Sequence, residues 1–194
     1  MIAFLRGKYA HKTPTYVIID CNGVGYHLNI SLNTYTDIQI EKEGTLHTYF
    51  HVTENSQALY GFSDQSEREL FIQLISISGV GPSTAILALS SSQPDELIKA
   101  IVSSDVAFIK KIKGIGPKTA QRIILELKDK LGKMDLGVKV SDNTGNTMRS
   151  EALSALIALG INRNQAEKTI DRVVRGNEEP LGLEAIIKQA LKSL

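Results

Sequence analysis

The feature that most constrains this chain is a nine-residue phrase that occurs twice. Ile77-Ser78-Gly79-Val80-Gly81-Pro82-Ser83-Thr84-Ala85 returns thirty-five positions later as Ile112-Lys113-Gly114-Ile115-Gly116-Pro117-Lys118-Thr119-Ala120, identical at six of nine positions. A repeat of that period limits the fold before any single residue is weighed. Each copy reads as the apolar end of one helix, a tight Gly-x-Gly hairpin and the start of a second helix. Gly79 and Gly114 fit left-handed backbone at a helix C-terminus. Pro82 and Pro117 fit a first helical turn, where a missing N–H costs nothing. Ala85 and Ala120 allow close helix packing, and Gly81 and Gly116 leave the backbone bare. The product is a helix N-terminus with free amides and a positive dipole end, which suits a phosphate. For a single copy, a helix-turn-helix packing device is the plain alternative. Repetition of the threonine and of an apolar hairpin tip, Val80 and Ile115, favours contact with a nucleic-acid backbone.

Charge supports that reading only locally. The net charge of +1 gives no global attraction to nucleic acid. Between Asp105 and Lys133, however, Lys110, Lys111, Lys113, Lys118, Arg122, Lys128, Lys130 and Lys133 face only Asp105, Glu126 and Asp129. The second hairpin sits inside this basic block, and a local patch is what phosphate binding needs. The single cysteine, Cys21, excludes an internal disulfide, fits a reducing compartment and reads as a small core residue. No apolar run reaches membrane-spanning length and the first residues lack a signal-peptide pattern, so a cytoplasmic protein without membrane partners is expected.

A length of 194 residues predicts two or three small domains. Residues 1–63 read as about five strands. Thr15–Cys21 and Gly25–Ile30 flank the hairpin signal Asn22-Gly23, residues 44–53 alternate, and 57–62 close the set. That count and size match a small closed barrel such as an OB-fold. His47 and His51 share one face without a third ligand and read as exposed strand residues. Glu54-Asn55-Ser56 is a polar turn between the last two strands.

Residues 64–134 change to helical period. Asp64 followed by Glu67 resembles a capping box, ahead of the stripe Leu70, Phe71, Leu74, Ile75 and Ile77. This all-helical block contains both hairpins. Residues 135–146 are polar and small, the composition of a flexible linker. Residues 147–194 carry three short apolar stripes, with Asn162 as a cap, and resemble a ubiquitin-associated-type (UBA-like) bundle. Such bundles usually serve as docking modules. The class is therefore α+β and multidomain.

Catalytic signals are weak. Gly116-Pro117-Lys118-Thr119 ends like a phosphate-binding loop, but Pro117 replaces its glycine and the upstream spacing fails, so no ATP hydrolysis is assigned. No His/Cys/carboxylate cluster marks a metal nuclease, and no cofactor is expected. Asp129 and Lys130 are candidates for glycosylase chemistry, but they fall late in an amphipathic helix.

Several phrases together are more specific. Ile2-Ala3-Phe4-Leu5-Arg6-Gly7 opens the barrel, Asn22-Gly23-Val24-Gly25-Tyr26 lies inside it, and Leu59-Tyr60-Gly61-Phe62 closes it. Tandem helix-hairpin-helix motifs, a loose linker and a three-helix tail follow. In this order, over its whole length, the chain resembles the RuvA family, the Holliday junction-binding subunits of bacterial branch-migration complexes.

The resemblance implies a homotetramer, or two stacked tetramers, holding a four-way DNA junction open during recombination and repair. It implies backbone contacts at Gly79, Val80, Gly81, Ser83 and Thr84, and at Gly114, Ile115, Gly116, Lys118, Thr119 and Arg122. Glu54 and Asn55 fall at the junction pin, where the family usually has two acids, so Asn55 removes one charge. Ser83 stands where a lysine is common. The tail is implied to dock the hexameric ATPase RuvB through Leu156, Leu159 and Ile161, and the resolvase RuvC to act on the same junction. Two other readings stand beside this one: a helix-hairpin-helix repair nuclease or glycosylase, and a protein–protein adaptor whose hairpins only pack.

Overall fold

The computed structural model describes residues 2–131, 144–176 and 181–193. The chain divides into two compact units, Met1–Leu136 and Gly137–Leu194.

The first unit opens with strands β1 (Phe4–Lys12), β2 (Tyr16–Cys21), β3 (Val24–Ile30), β4 (Glu43–Val52) and β5 (Gln57–Phe62). They close into a barrel in the order β1-β2-β3-β5-β4, with β3 and β5 parallel and the other pairs antiparallel. The β2–β3 hairpin turns on Asn22 and Gly23, whose φ of 54° and 88° match a turn with two left-handed central residues. Val17, Ile19, Leu28, Ile30 and Leu46 alternate inward and fill the barrel. Cys21 packs against that core at half-burial, with its thiol donating to the Arg6 carbonyl at 3.2 Å. His47 and His51, expected to be exposed, are half-buried, and His51 lies 6.2 Å from the Tyr49 ring.

A short helix that the sequence pattern does not announce, α1 (Leu32–Asp37), follows β3. Ser31 caps it by accepting from the Thr34 amide. The helical block then runs through α2 (Gln65–Ile75), α3 (Pro82–Ser91), α4 (Pro94–Val102), α5 (Val106–Lys110) and α6 (Pro117–Leu131). Leu70, Phe71, Leu74, Leu89, Leu97, Ile101, Ile123 and Leu127 form its core, and Phe62 of β5 joins them. The Phe62 and Phe71 rings lie 5.0 Å apart, so barrel and helices share apolar contact within this unit.

Polar bonds reinforce that seam. Asp64 caps α2 as expected, accepting from the Ser66 amide at 3.0 Å. Glu67, the expected second half of the capping box, does not fold back. It is 2% exposed and accepts from Ser31 Oγ and, at 2.8 Å, from Thr34 Oγ1. Thr34 Oγ1 in turn accepts from the Ser63 amide at 3.0 Å. One carboxylate thus joins α1, the end of β5 and α2. Asn33 donates to the carbonyls of Leu89 and Ser92, and Arg68 donates to the Thr48 carbonyl at 2.7 Å.

Removing the carboxylate strands two buried hydroxyl donors, each costing about 1–3 kcal/mol. Glu67→Ala is therefore expected to lower unfolding free energy by about 2–4 kcal/mol. Burial is the dominant influence on the carboxyl and holds it above the usual carboxylate range, against the two hydroxyl bonds. A raised native pKa means that the folded state retains the proton longer. Its stabilising contribution is full below the ordinary value of about 4.3 and is lost as pH rises through the raised value. In urea titrations across that window, the advantage of wild type over Glu67→Gln should shrink with pH. A constant gap would contradict this.

The second unit contains α7 (Thr144–Ala158), α8 (Arg163–Arg175) and α9 (Leu183–Lys192) around Ala152, Leu156, Ala166, Ile170, Val173, Ile186 and Ala190. Asn162 caps α8 as expected, accepting from the Asn164 amide at 3.0 Å. Arg149 on α7 pairs with Asp171 on α8. The expected 135–146 linker lies outside the described residues as far as 143, whereas 144–146 belong to α7 rather than to a linker. Among the described residues, no helix is long and apolar enough to cross a membrane.

Candidate nucleic-acid interface

The two hairpins fold alike. Ile77 and Ile112 are buried, and the turns that follow close through Val80 N–H to the Ile77 carbonyl at 3.0 Å and Ile115 N–H to the Ile112 carbonyl at 3.1 Å. Gly79 and Gly114 have φ of +94° and +92°, a conformation that penalises a side chain. The glycines two positions on behave differently. Gly81 has φ −87° and ψ 170°, ordinary extended backbone, and Gly116 likewise lies outside the positive-φ region. A methyl group built on either meets nothing within 4 Å. Neither backbone strain nor packing inside this unit calls for glycine there. What a side chain would obstruct is approach from outside.

Helices α3 and α6 begin beside these open glycines. Their first intrahelical bonds are Ala85 N–H to the Gly81 carbonyl at 3.0 Å and Ala120 N–H to the Gly116 carbonyl at 2.9 Å. The amides of Ser83, Thr84, Lys118 and Thr119 precede those bonds and point out of the helix ends. No side chain caps α3. Ser83 and Lys118 occupy equivalent positions, so only the second helix end carries a cation there. Arg122, one turn further, pairs with Glu126 at 3.0 Å, which offsets part of its charge. Lys128 is turned to Ser104 Oγ at 2.9 Å. Asp129 and Lys130 are exposed near the end of α6.

Two expectations about the hairpins require correction. Val80 and Ile115 are not exposed tips: they are 5% and 6% exposed, belong to the helical core, and their amides are spent inside the turns. They hold the hairpins from beneath and offer a ligand neither side chain nor N–H. Nor does the repeated threonine need an external contact to explain it. The side chains of Thr84 and Thr119 each stand over the bend glycine of the other copy, with room for a methyl group between them. That relation spans the two copies, so neither copy alone gives a sign of it.

In the barrel, Glu54 and Asn55 are exposed on the β4–β5 turn. Thr53 and Ser56 brace the turn: Thr53 N–H donates to the Ser56 carbonyl at 2.8 Å, and Ser56 N–H to Thr53 Oγ1 at 3.1 Å. In the second unit, Leu159 is 62% exposed and Ile161 packs partly against the core. Leu156 is 0% exposed, so the docking role expected of it is corrected to a core role.

Known families match in the same order. Residues 1–61 match the RuvA N terminal domain, 71–129 the SAM-like helix-hairpin-helix tandem, and 147–194 the RuvA C-terminal domain. A protein of Christiangramia forsetii is 50% identical over 194 residues, covering 100% of both chains. One of Cytophaga hutchinsonii is 48% identical over 198 residues, covering 99% of both. Both bear the name Holliday junction branch migration complex subunit RuvA. This chain belongs to the RuvA family. The RuvA matches flank the helix-hairpin-helix tandem, so the family covers the barrel and the three-helix unit as well as the hairpins.

Proposed function

We propose that this chain is the junction-recognising subunit of a branch-migration complex, with no catalytic site of its own. It binds four-way DNA junctions without sequence preference, holds them open and presents them to a ring ATPase of the RuvB type. One observation carries this most directly. Gly81 and Gly116 are bare where neither conformation nor packing requires it, beside two helix ends with free amides. Backbone phosphates fit such sites by close approach and dipole. Contacts confined to phosphates read shape and position rather than bases.

Domain roles follow this division. Residues 1–63 supply the barrel and the Glu54–Asn55 pin, 64–134 the grip, and 147–194 the motor-docking module. Holding four arms calls for four copies, and Leu125, 81% exposed on α6, offers an apolar contact for stacking two such tetramers. A resolvase of the RuvC type would act on the same open junction.

The direct test is a gel shift comparing a four-way junction with linear duplex of the same sequence. Tighter junction binding is expected, and equal affinity would overturn the proposal. Lys118→Ala with Arg122→Ala should weaken binding and flatten its salt dependence, by roughly one unit of slope for each phosphate no longer neutralised. Because Arg122 shares its charge with Glu126, most of the change should come from Lys118. An unaltered slope would remove these residues from the interface.

A further inference from the structure

The hairpin glycines are faced from across the repeat. A methyl group built on Gly79 would lie 3.7 Å from Thr119 Oγ1, and one built on Gly114 would lie 3.6 Å from Thr84 Oγ1 and 3.7 Å from Thr84 Cγ2. Thr84 opens α3, directly after the first hairpin, yet it faces the second. Thr119 opens α6, after the second hairpin, yet it faces the first. Each faces the residue whose positive φ bends the opposite turn.

We infer that Thr84 and Thr119 are crossed positioning residues: each fixes the phosphate site of the other copy, and together they set the spacing of the two sites. This rests on the phosphate-grip reading above. The turns themselves are short segments, each closed by one backbone bond from Val80 or Ile115. Glycine at the bend gives the required conformation but leaves that turn face without a side chain. A β-branched residue, stiff at χ1, bounds this face with a well-defined shape. Because the relation is reciprocal, a hairpin that shifts toward the facing threonine closes on the helix end that carries the other site.

The experiment is a set of double-mutant cycles read by junction affinity, with folding followed by thermal melting. Thr84→Ala should weaken binding about three- to tenfold, toward the lower end of what coupled neighbours show. In a Gly116→Val background, where the second site is already blocked, Thr84→Ala should add little. In a Gly81→Val background its full effect should persist. Thr119→Ala should show the mirror pattern. A threonine that merely contacts phosphate at its own helix end would couple to its own glycine, and a general packing role would couple equally to both. Either result overturns the crossed assignment.

Thr84→Val and Thr119→Val keep both branches of the side chain as well as the backbone N–H, and should lose clearly less affinity than the alanine variants. If valine behaves like alanine, the hydroxyl is a phosphate ligand and the brace is wrong. If an alanine variant fails to fold, Thr→Ser, which removes only the methyl branch, takes its place in the cycles. Should Gly81→Val and Gly116→Val themselves leave binding unchanged, the phosphate-grip reading falls instead.

Discussion

Replacing Gly81 and Gly116 together by valine should leave the fold intact and weaken four-way junction binding by at least about a hundredfold. Both residues precede proline, which biases them toward extended backbone that valine accepts readily. Both face open space, where an added β-carbon meets nothing within 4 Å. The stability change is limited to N-cap preference, about 1 kcal/mol at each helix. Binding should respond far more strongly. Hydrogen bonds to a charged group contribute about 1.5–3 kcal/mol each, and the branched side chain would stand where the phosphate must approach. Two blocked sites therefore cost well over the roughly 2.7 kcal/mol that corresponds to a hundredfold. The neighbouring pair answers differently: Gly79→Ala and Gly114→Ala place a side chain at φ above +90° and should cost about 1–2 kcal/mol of stability each. Gel shifts beside circular-dichroism melts separate the two cases. Junction binding within about threefold of wild type for the valine pair would defeat the proposed interface.

Ending the chain at residue 143 should abolish ATP-driven branch migration while leaving junction affinity unchanged. The barrel, the pin turn and both hairpins lie in the first compact unit, and the helices from α7 onward form a second with its own core. That second unit presents Leu159 at 62% exposure, together with Ile157, Val174 and Leu191 at 41–45%. Migration assays with the partner ATPase test the truncation, and migration retained by the shortened protein would refute the docking role. Point variants then distinguish surface from core. Leu159→Asp in the full chain should impair migration without unfolding the tail. Leu156→Ala should act by destabilising the bundle, by about 2–5 kcal/mol, because that side chain is fully buried.

The barrel and the hairpins were legible because their signals are local. Asn22-Gly23 fixes a turn, strand alternation fixes an inward face, and Gly79 and Gly114 mark left-handed backbone. What escaped depends on partners distant in sequence. Leu32–Asp37 is too short for helical periodicity and contains two threonines, an asparagine and a tyrosine, none a strong helix former. It is held by the Ser31 cap and by the bonds from Asn33 to α3 and its following turn. Glu67 has the right spacing for a capping box, yet Ser31 and Thr34, more than thirty positions away, claim its carboxylate. Val80 and Ile115 look like tips because they lie between glycines, but the turn points them inward. Leu156 and Leu159 share an apolar stripe that gives no depth: one ends in the core, the other outside it.

The seam between barrel and helices has a mechanical meaning. Glu67 and Asn33 tie α1, which follows β3 in the chain, to α2 and α3, Arg68 ties α2 to β4, and barrel and helices also share apolar contact through Phe62 and Phe71. A compliant joint there would let hairpins and barrel move apart under load. On the proposed reading, in which the hairpins grip the duplex, these bonds are the route by which load on the hairpins would reach the barrel that carries Glu54 and Asn55.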